Sequence, residues 1–458
     1  MKLRNKWLLS GSLALSLIFS SALPLSTANA AAVKSTAVQQ SSQSSSAEYE
    51  LFLKEKFGIT FQAGSTITKG QFIQQIADIL GLEASEAKPA FTDLSTSSPY
   101  YSSAAALYEQ GIITSLKVEP DQPLQATSAI YIAVKAAGLL ELAHSYPQNK
   151  TTDALKQIGY SPAGLSLSAS QELAAAVHSG LLPTSLYKEV KGKAASPELA
   201  ETLLVQILSI KGDYKHYIGY TTDADIYGKL ADAYDTSDLI QSPELQTVVD
   251  TALKQNLVTG YNLKDERYDA NFVESLSLTY GHDNLKHAVQ LIGLLRSEGI
   301  SAKVQLEPKT SAFIYLKEWG EPVQSDNYKV VQIENGNYIA YAKEYDLKFE
   351  FNNTADKARF QPIILQYAKK NSEDQTGLIA SSWWQPLYYS LTNLDGYVQI
   401  TNNKITGQGH YYAQSFSLNE QSAAIVEGFK KLGNDLTIQS YTFWVDKPFF
   451  NYLNGESL

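Results

Sequence analysis

Residues 283–304 read DNLKHAVQLIGLLRSEGISAKV, and this stretch decides the fold class expected of the second half of the chain. Leu285, Ala288, Val289, Ile292 and Leu295 recur at helical spacing, so a helix over Asp283–Ser297 carries one apolar stripe. Arg296 sits in its last turn and Gly299 follows as a stop. From Ile300 the period drops to two: Ala302, Val304 and Leu306 alternate with Lys303, Gln305 and Glu307. Further strands are predicted at 311–316, 337–342 and 345–350. In the last of these, Tyr345, Leu347 and Phe349 share one face, and Asp346, Lys348 and Glu350 the other. The charged face is expected to meet solvent, with Asp346 beside Lys348. A helix followed by strands makes this half α+β.

The C-terminal hundred residues are aromatic and alternating. Tyr397–Thr401 reads as a strand, Asn402-Asn403 as a turn, and 404–416 as the return of the hairpin. A helix over 419–432 places Ala423, Ile425, Val426, Phe429 and Leu432 inward, and Leu436–Trp444 returns as a strand. Trp383, Trp384 and Tyr388 form a candidate aromatic platform for a saccharide, with core packing as the competing role.

Residues 49–215 have a helical pattern in short units. Helices at 71–80, 128–140 and 196–209 recur about 60 residues apart. Between them lie segments that end in Gly plus aliphatics, as at Gly111-Ile112-Ile113 and Gly180-Leu181-Leu182. Ser196-Pro197-Glu198 and Ser242-Pro243-Glu244 each set an N-cap before a Pro at the first helical position. Ile67-Thr68-Lys69-Gly70-Gln71-Phe72, Phe91-Thr92-Asp93-Leu94 and Gly111-Ile112-Ile113 resemble the surface-layer homology (SLH) repeat over about 49–212. The resemblance implies a three-pronged helical spindle that holds secondary cell-wall polysaccharide, often pyruvylated, in grooves between repeats. Thr68, Lys69 and Asp93 are then the candidate wall-glycan residues. The chain departs from that pattern at Gly70-Gln71, where the family has Ala-Glu. Its second and third units, Leu124-Gln125-Ala126-Thr127 and Ala195-Ser196-Pro197-Glu198, carry no Arg. A carboxylated glycan favours a charge-assisted partner, and Lys69 is the one such cation in these motifs.

Ala288–Val304 resembles the helix-plus-strand core of transglutaminase-like proteins in the papain-type superfamily, over about 265–350. That resemblance implies a Cys at the helix start, a His opening the next strand, and an acid on the strand after it. The corresponding positions hold Asn284, Ser311 and Asp346. An Asn amide is no nucleophile and Ser311 cannot act as the base, so the reaction of that family is absent. His282 and His287 flank the helix start; if both were helical they would lie on different faces, a poor spacing for a metal. No phosphate loop, nucleophile elbow or calcium loop is present, so neither metal nor cofactor is expected.

The 458 residues contain no Cys, which excludes disulfides, zinc–thiolate sites and a cysteine nucleophile. The net charge of −10 argues against nucleic acid. Lys2, Arg4 and Lys6, an apolar run to Pro24, and Ala28-Asn29-Ala30 read as a signal peptide over 1–30. Its loss takes the charge to −13, because it holds three basic residues and no acidic one. Residues 31–48 read as a Ser/Gln-rich linker, and no transmembrane segment is expected after it. The expected organisation is therefore a multidomain chain. All-α SLH-like repeats at 49–215 precede an α+β transglutaminase-like region at 216–350 and an α+β extension at 351–458. The expected function is that of a secreted, non-catalytic protein of a Gram-positive cell wall or surface layer. Its partner would be wall polysaccharide or another envelope protein. The alternatives are a wall hydrolase using carboxylates, such as Asp265 with Glu266 or Asp346 with Glu350, and a surface assembly factor.

Overall fold

The computed structural model describes residues 46–62, 64–85, 89–237, 239–322, 324–367, 387–433 and 435–456. Residues 46–57 form α1; α2 (Lys69–Leu80), α3 (Tyr101–Glu109) and α4 (Ala126–Ala136) follow. Next come α5 (Leu140–His144), α6 (Gln148–Gln157), α7 (Leu167–His178) and α8 (Pro197–Lys211). Helices α9 (Ile226–Asp235), α10 (Pro243–Lys254), α11 (Leu285–Ser297), α12 (Thr354–Tyr367), α13 (Ser422–Leu432) and α14 (Lys447–Leu453) alternate with strands. The strands are β1 (Gly219–Tyr220), β2 (Gly260–Asp265), β3 (Ser277–His282), β4 (Ala302–Ile314) and β5 (Tyr328–Gln332). The remaining five are β6 (Tyr338–Phe351), β7 (Leu387–Ser390), β8 (Val398–Thr406), β9 (Tyr411–Ser417) and β10 (Thr437–Val445).

Local chemistry sets the helix ends. Thr68 and Gln71 form a reciprocal capping box at the start of α2, and Gly81 ends that helix at φ 59°. Ser196 caps α8 with Pro197 at its first position, and Gly212 closes it at φ 83°. The three segments that lead into α2, α4 and α8 are laced by main-chain bonds. Leu124 N–H donates to the Ile67 carbonyl at 2.8 Å, and Ala195 N–H to the Leu124 carbonyl at 2.7 Å.

The strands close on themselves. Each neighbour is antiparallel in the ring β4-β2-β9-β8-β10-β7-β3-β6, and β6 pairs back onto β4 from Ala302↔Phe351 to Ile314↔Ile339. The result is an eight-stranded barrel, with β1 and β5 added beside β4 and β6. Helices cover its outer face. Val304, Leu306, Tyr345, Leu347 and Phe349 pack with Ile226 and Leu230 of α9, Leu291 and Leu295 of α11, and Phe360 and Ile364 of α12. Leu263, Ala312, Ile405 and Ala413 pack with Val249 of α10 and Phe429 of α13.

This architecture corrects the expected fold class. There is no papain-type core: the second half is a closed antiparallel barrel, and the N-terminal helices have a buried cluster of their own that also takes in a residue from the barrel half. Val273, just before β3, lies in the same cluster as the buried residues of α2–α8. The physical cause is strand length. Residues 300–307 and 311–316 do not form two strands but one, β4, and 337–342 and 345–350 likewise merge into β6. Strands of 13 and 14 residues paired along their full length must coil, and a coiled sheet of this size can close. Pro308 is tolerated inside β4 because β1 reaches only to Val304 and β2 begins pairing at Thr310, which leaves that side open there. In the last hairpin the turn falls at 407–410, and Asn402 and Asn403 sit within β8, opposite Phe416 and Ser415.

Candidate functional site: the barrel lumen

The alternation in β4 and β6 has the expected period and the opposite sidedness. Their apolar residues face outward to the helices, and their charged residues face the lumen. Asp346 is 1% exposed and Glu307 2%. An isolated buried charge is costly, so such a face persists only when each charge is paired.

Two ionic nodes provide the pairing. In the first, Lys264 of β2 donates to Glu307 Oε2 at 2.6 Å and to Asp346 Oδ2 at 2.8 Å. Lys309 donates to Asp346 Oδ1 at 2.7 Å, and the Ala270 N–H to Glu307 Oε1 at 2.8 Å. Tyr389 of β7 adds its hydroxyl to Asp346 at 3.3 Å. Burial would raise the Asp346 carboxyl, but the Lys264 and Lys309 ammoniums overcome it and hold the group well below the usual carboxylate range. Burial likewise opposes the charge on Lys264, and its two carboxylates raise it above the ordinary lysine value.

In the second node, Lys215 and Lys303 each bridge Glu350 and Glu48, at distances between 2.7 and 2.9 Å. Glu350 also accepts from the Val273 N–H at 2.7 Å. Burial pushes the Glu48 carboxyl up, but Lys215 and Lys303 bring it down to about 2. Glu48 belongs to α1, so this node fastens α1 to the barrel.

Beside the first node lies a cavity of about 430 Å³, lined by residues of seven strands, among them Lys264, Glu307, Lys348, Tyr389, Lys404, Tyr412 and Gln439. Lys56 and Glu274 complete its rim, 3.5 Å apart. Asp269, also in the lining, accepts from the Tyr412 hydroxyl at 2.8 Å. Burial, and then the Glu307 charge, push its carboxyl upward. The Gln414 amide oxygen and the Asn402 amide oxygen are buried and have no hydrogen-bond partner among the described residues.

The residues singled out by sequence are dispersed. Asn284 caps α11, its side chain accepting from Lys286 N–H, and its carbonyl accepts from the Tyr345 hydroxyl on the outer face. Ser311 lies in the lumen against Asn262 and Glu344, at 2.7 and 2.6 Å. Asp346 is in the first node, so the three positions form no triad. Thr68, Lys69 and Asp93 do gather around one loop. Asp93 accepts from the Val118 and Glu119 N–H groups at 2.8 and 2.7 Å, and Lys69 Nζ is 3.9 Å from Glu119. The Thr68 hydroxyl is used in the α2 cap. Trp383 and Trp384 lie outside the described residues; Tyr388, in β7, pairs through its backbone with Tyr280 of β3, and its side chain lies outside them.

His282 is the last residue of β3 rather than a helical one, so it meets His287 directly, Nε2 to Nδ1 at 2.8 Å. Burial and His282 lower the His287 imidazole to about 4. Among the described residues no group of three His, Asp or Glu is placed to hold a metal ion. None of their helices is long and apolar enough to cross a membrane.

Sequence reasoning missed Lys264, Lys309, Asp269, Lys404 and Gln414. The available signal, for Lys309, was the run of polar and mostly charged residues at every second position of 303–309 and 344–350, too regular for an edge. No protein-family model matches the chain, and no curated protein matches it.

Proposed function

We propose that the protein is an exported, non-catalytic component of the cell envelope whose barrel is a receptacle for a small polar ligand. The observation that carries this reading is the lumen itself: a polar cavity of about 430 Å³ set beside the ionic node of Lys264, Glu307 and Asp346. That volume is in the range of small-molecule sites. Acid–base catalysis needs a carboxyl free to exchange a proton. Asp346 has both oxygens engaged by ammoniums, and Glu350 has one oxygen shared by Lys215 and Lys303 and the other on a backbone N–H. Asp265 is clamped by Arg267 at 2.6 Å. This supports binding over hydrolysis. Envelope location rests on the signal-like leader and on the motifs around Thr68 and Asp93.

The test uses the full mature chain. It is mixed with purified sacculi in a sedimentation assay, and with a low-mass wall digest in a thermal-shift assay. Co-sedimentation, together with a rise in Tm and no consumption of the digest, is the expected result. Absence of both binding signals overturns the reading, as does turnover that disappears in Asp346→Asn.

A further inference from the structure

The cavity wall holds four lysines, Lys56, Lys264, Lys348 and Lys404, against three carboxyls, Asp269, Glu274 and Glu307, and burial and the Glu307 charge favour the neutral form of Asp269. Lys264 is neutralised by Glu307 and Asp346, and Lys56 by Glu274. Among the described residues Lys348 reaches one carboxylate, Glu307, at 3.8 Å, and that group is already held by Lys264 at 2.6 Å. Lys404 has no carboxylate among the described residues; its ammonium lies 4.1 Å over the Tyr412 ring. Both Lys56 and Lys348 line the cavity; burial lowers the Lys56 ammonium first, and the like charge of Lys348 lowers it next. A pocket whose cations outnumber the carboxylates available to them attracts an anion.

The same wall offers acceptors in need of donors. Gln414 is 6% exposed and its Oε1 has no partner; its Nε2 lies 3.4 Å from the Tyr441 hydroxyl. Asn402, 2% exposed, gives its amide hydrogen to that same hydroxyl at 2.7 Å and leaves its own Oδ1 unpaired. Buried acceptors left unsatisfied are costly, and a ligand hydroxyl would offset that cost. A neutral apolar ligand would recover nothing from them and would bury the ammoniums without a counter-ion.

We propose that the lumen binds a small hydroxylated carboxylate of the sugar-acid type, its carboxylate between Lys348 and Lys404 and its hydroxyls donating to Gln414. This deepens the receptacle reading and rests on it. Lys348 lies on β6 and Lys404 on β8, so the two cations come from strands that are not neighbours, and the anion bridges the lumen.

The test is calorimetric titration of the mature protein with D-glucuronate, D-glucose and D-glucosamine at low salt. Glucuronate is expected to bind at least tenfold more tightly than the other two. Lys404→Met is expected to abolish that preference, Lys404→Arg to retain it, and Gln414→Leu to weaken glucuronate by about fivefold or more. Thermal melts of each variant confirm folding, and Lys286→Met, a substitution on the outer helix α11, is the control expected to bind like wild type. Binding of glucose or glucosamine with no preference for glucuronate overturns the anion assignment and leaves the receptacle reading intact. A preference that persists unchanged in Lys404→Met overturns the placement. Failure of all three sugars overturns the sugar-acid class, and the wall-digest thermal shift then decides the receptacle reading separately.

Discussion

Replacing Glu48 by Gln removes one counter-ion from the node that fastens α1 to the barrel, and its cost is expected to depend on pH in a calculable way. The folded carboxyl titrates at about 2 against an ordinary 4.5. A folded value below the unfolded one means that the stabilisation is complete above 4.5 and is lost as pH falls through about 2. At about 1.36 kcal/mol per tenfold change in proton affinity, the full contribution is about 3.4 kcal/mol at pH 7. The Glu48 side chain is 31% exposed, and solvent screening reduces that to roughly half. The same linkage leaves about 1.4 kcal/mol before screening at pH 3, about 0.7 after it. Urea unfolding of wild type and Glu48→Gln at pH 7 and pH 3 therefore shows a gap of about 1.7 kcal/mol that shrinks by more than half on acidification. A gap that is the same at both pH values, or below about 0.3 kcal/mol at pH 7, refutes the ionic attachment of α1.

Asp346→Asn leaves Lys264 and Lys309 facing a neutral amide in a closed lumen and is expected to cost about 3–5 kcal/mol in chemical denaturation. Asn284→Ala removes a helix cap on the outer face and costs about 1 kcal/mol by the same assay. Gly70→Ala places a methyl 2.7 Å from the Tyr100 ring and 2.9 Å from Pro120, with an expected cost of about 1–3 kcal/mol. A double-mutant cycle with Tyr100→Ala returns part of that loss if the contact is the cause. Because the folded His287 imidazole titrates near 4 against an ordinary 6.5, the unfolded chain binds its proton first. Wild-type Tm is thus expected to fall more steeply than that of His287→Gln as pH drops from 6.5 to 4.

The second half shows where a one-dimensional pattern stops. The period of two in Ala302–Glu307 and in Tyr345–Glu350 is plain, and the strands are there. What the pattern lacks is a sign: alternation marks two faces without saying which is enclosed. A polar face is ordinarily the wet one, and that default placed Asp346 in solvent. In the barrel the helices α9–α13 claim the apolar face, and closure of the ring encloses the charged one. Closure depends on pairings between residues as distant as Asn262 and Gln414, which no local window contains. The gaps left between the expected strands, at 308–310 and 343–344, fall inside the long strands β4 and β6, which take in Pro308 and the Lys343-Glu344 pair. A helix end was more legible: Ser196, read as the cap before Pro197, does cap α8, because a cap acts through neighbours within four residues. The candidate triad failed for the reason the barrel was missed. Ser311 and Asp346 follow the lumen, whereas Asn284 follows a helix on the other side of the wall.

A barrel with a charged interior and an apolar exterior inverts the usual source of stability. Its wall cannot be held by the lumen, where ion pairs roughly offset their own desolvation. The favourable term comes from outside, where Val304, Leu306, Leu347 and Phe349 are buried under α9, α11 and α12. The helices are thus part of the barrel's fold. The same logic ties in the first helical segment. Glu48 of α1 supplies a counter-ion to two barrel-side lysines, Lys56 lines the cavity, and Val273 closes the helical core. A ligand in the lumen contacts a wall to which α1 itself contributes, so occupancy of the barrel and seating of α1 share one free energy. The paired nodes fix the frame. Lys404, which has no carboxylate among the described residues, and the amide oxygens of Gln414 and Asn402, which have no hydrogen-bond partner among them, are then the groups on which the proposed ligand would act.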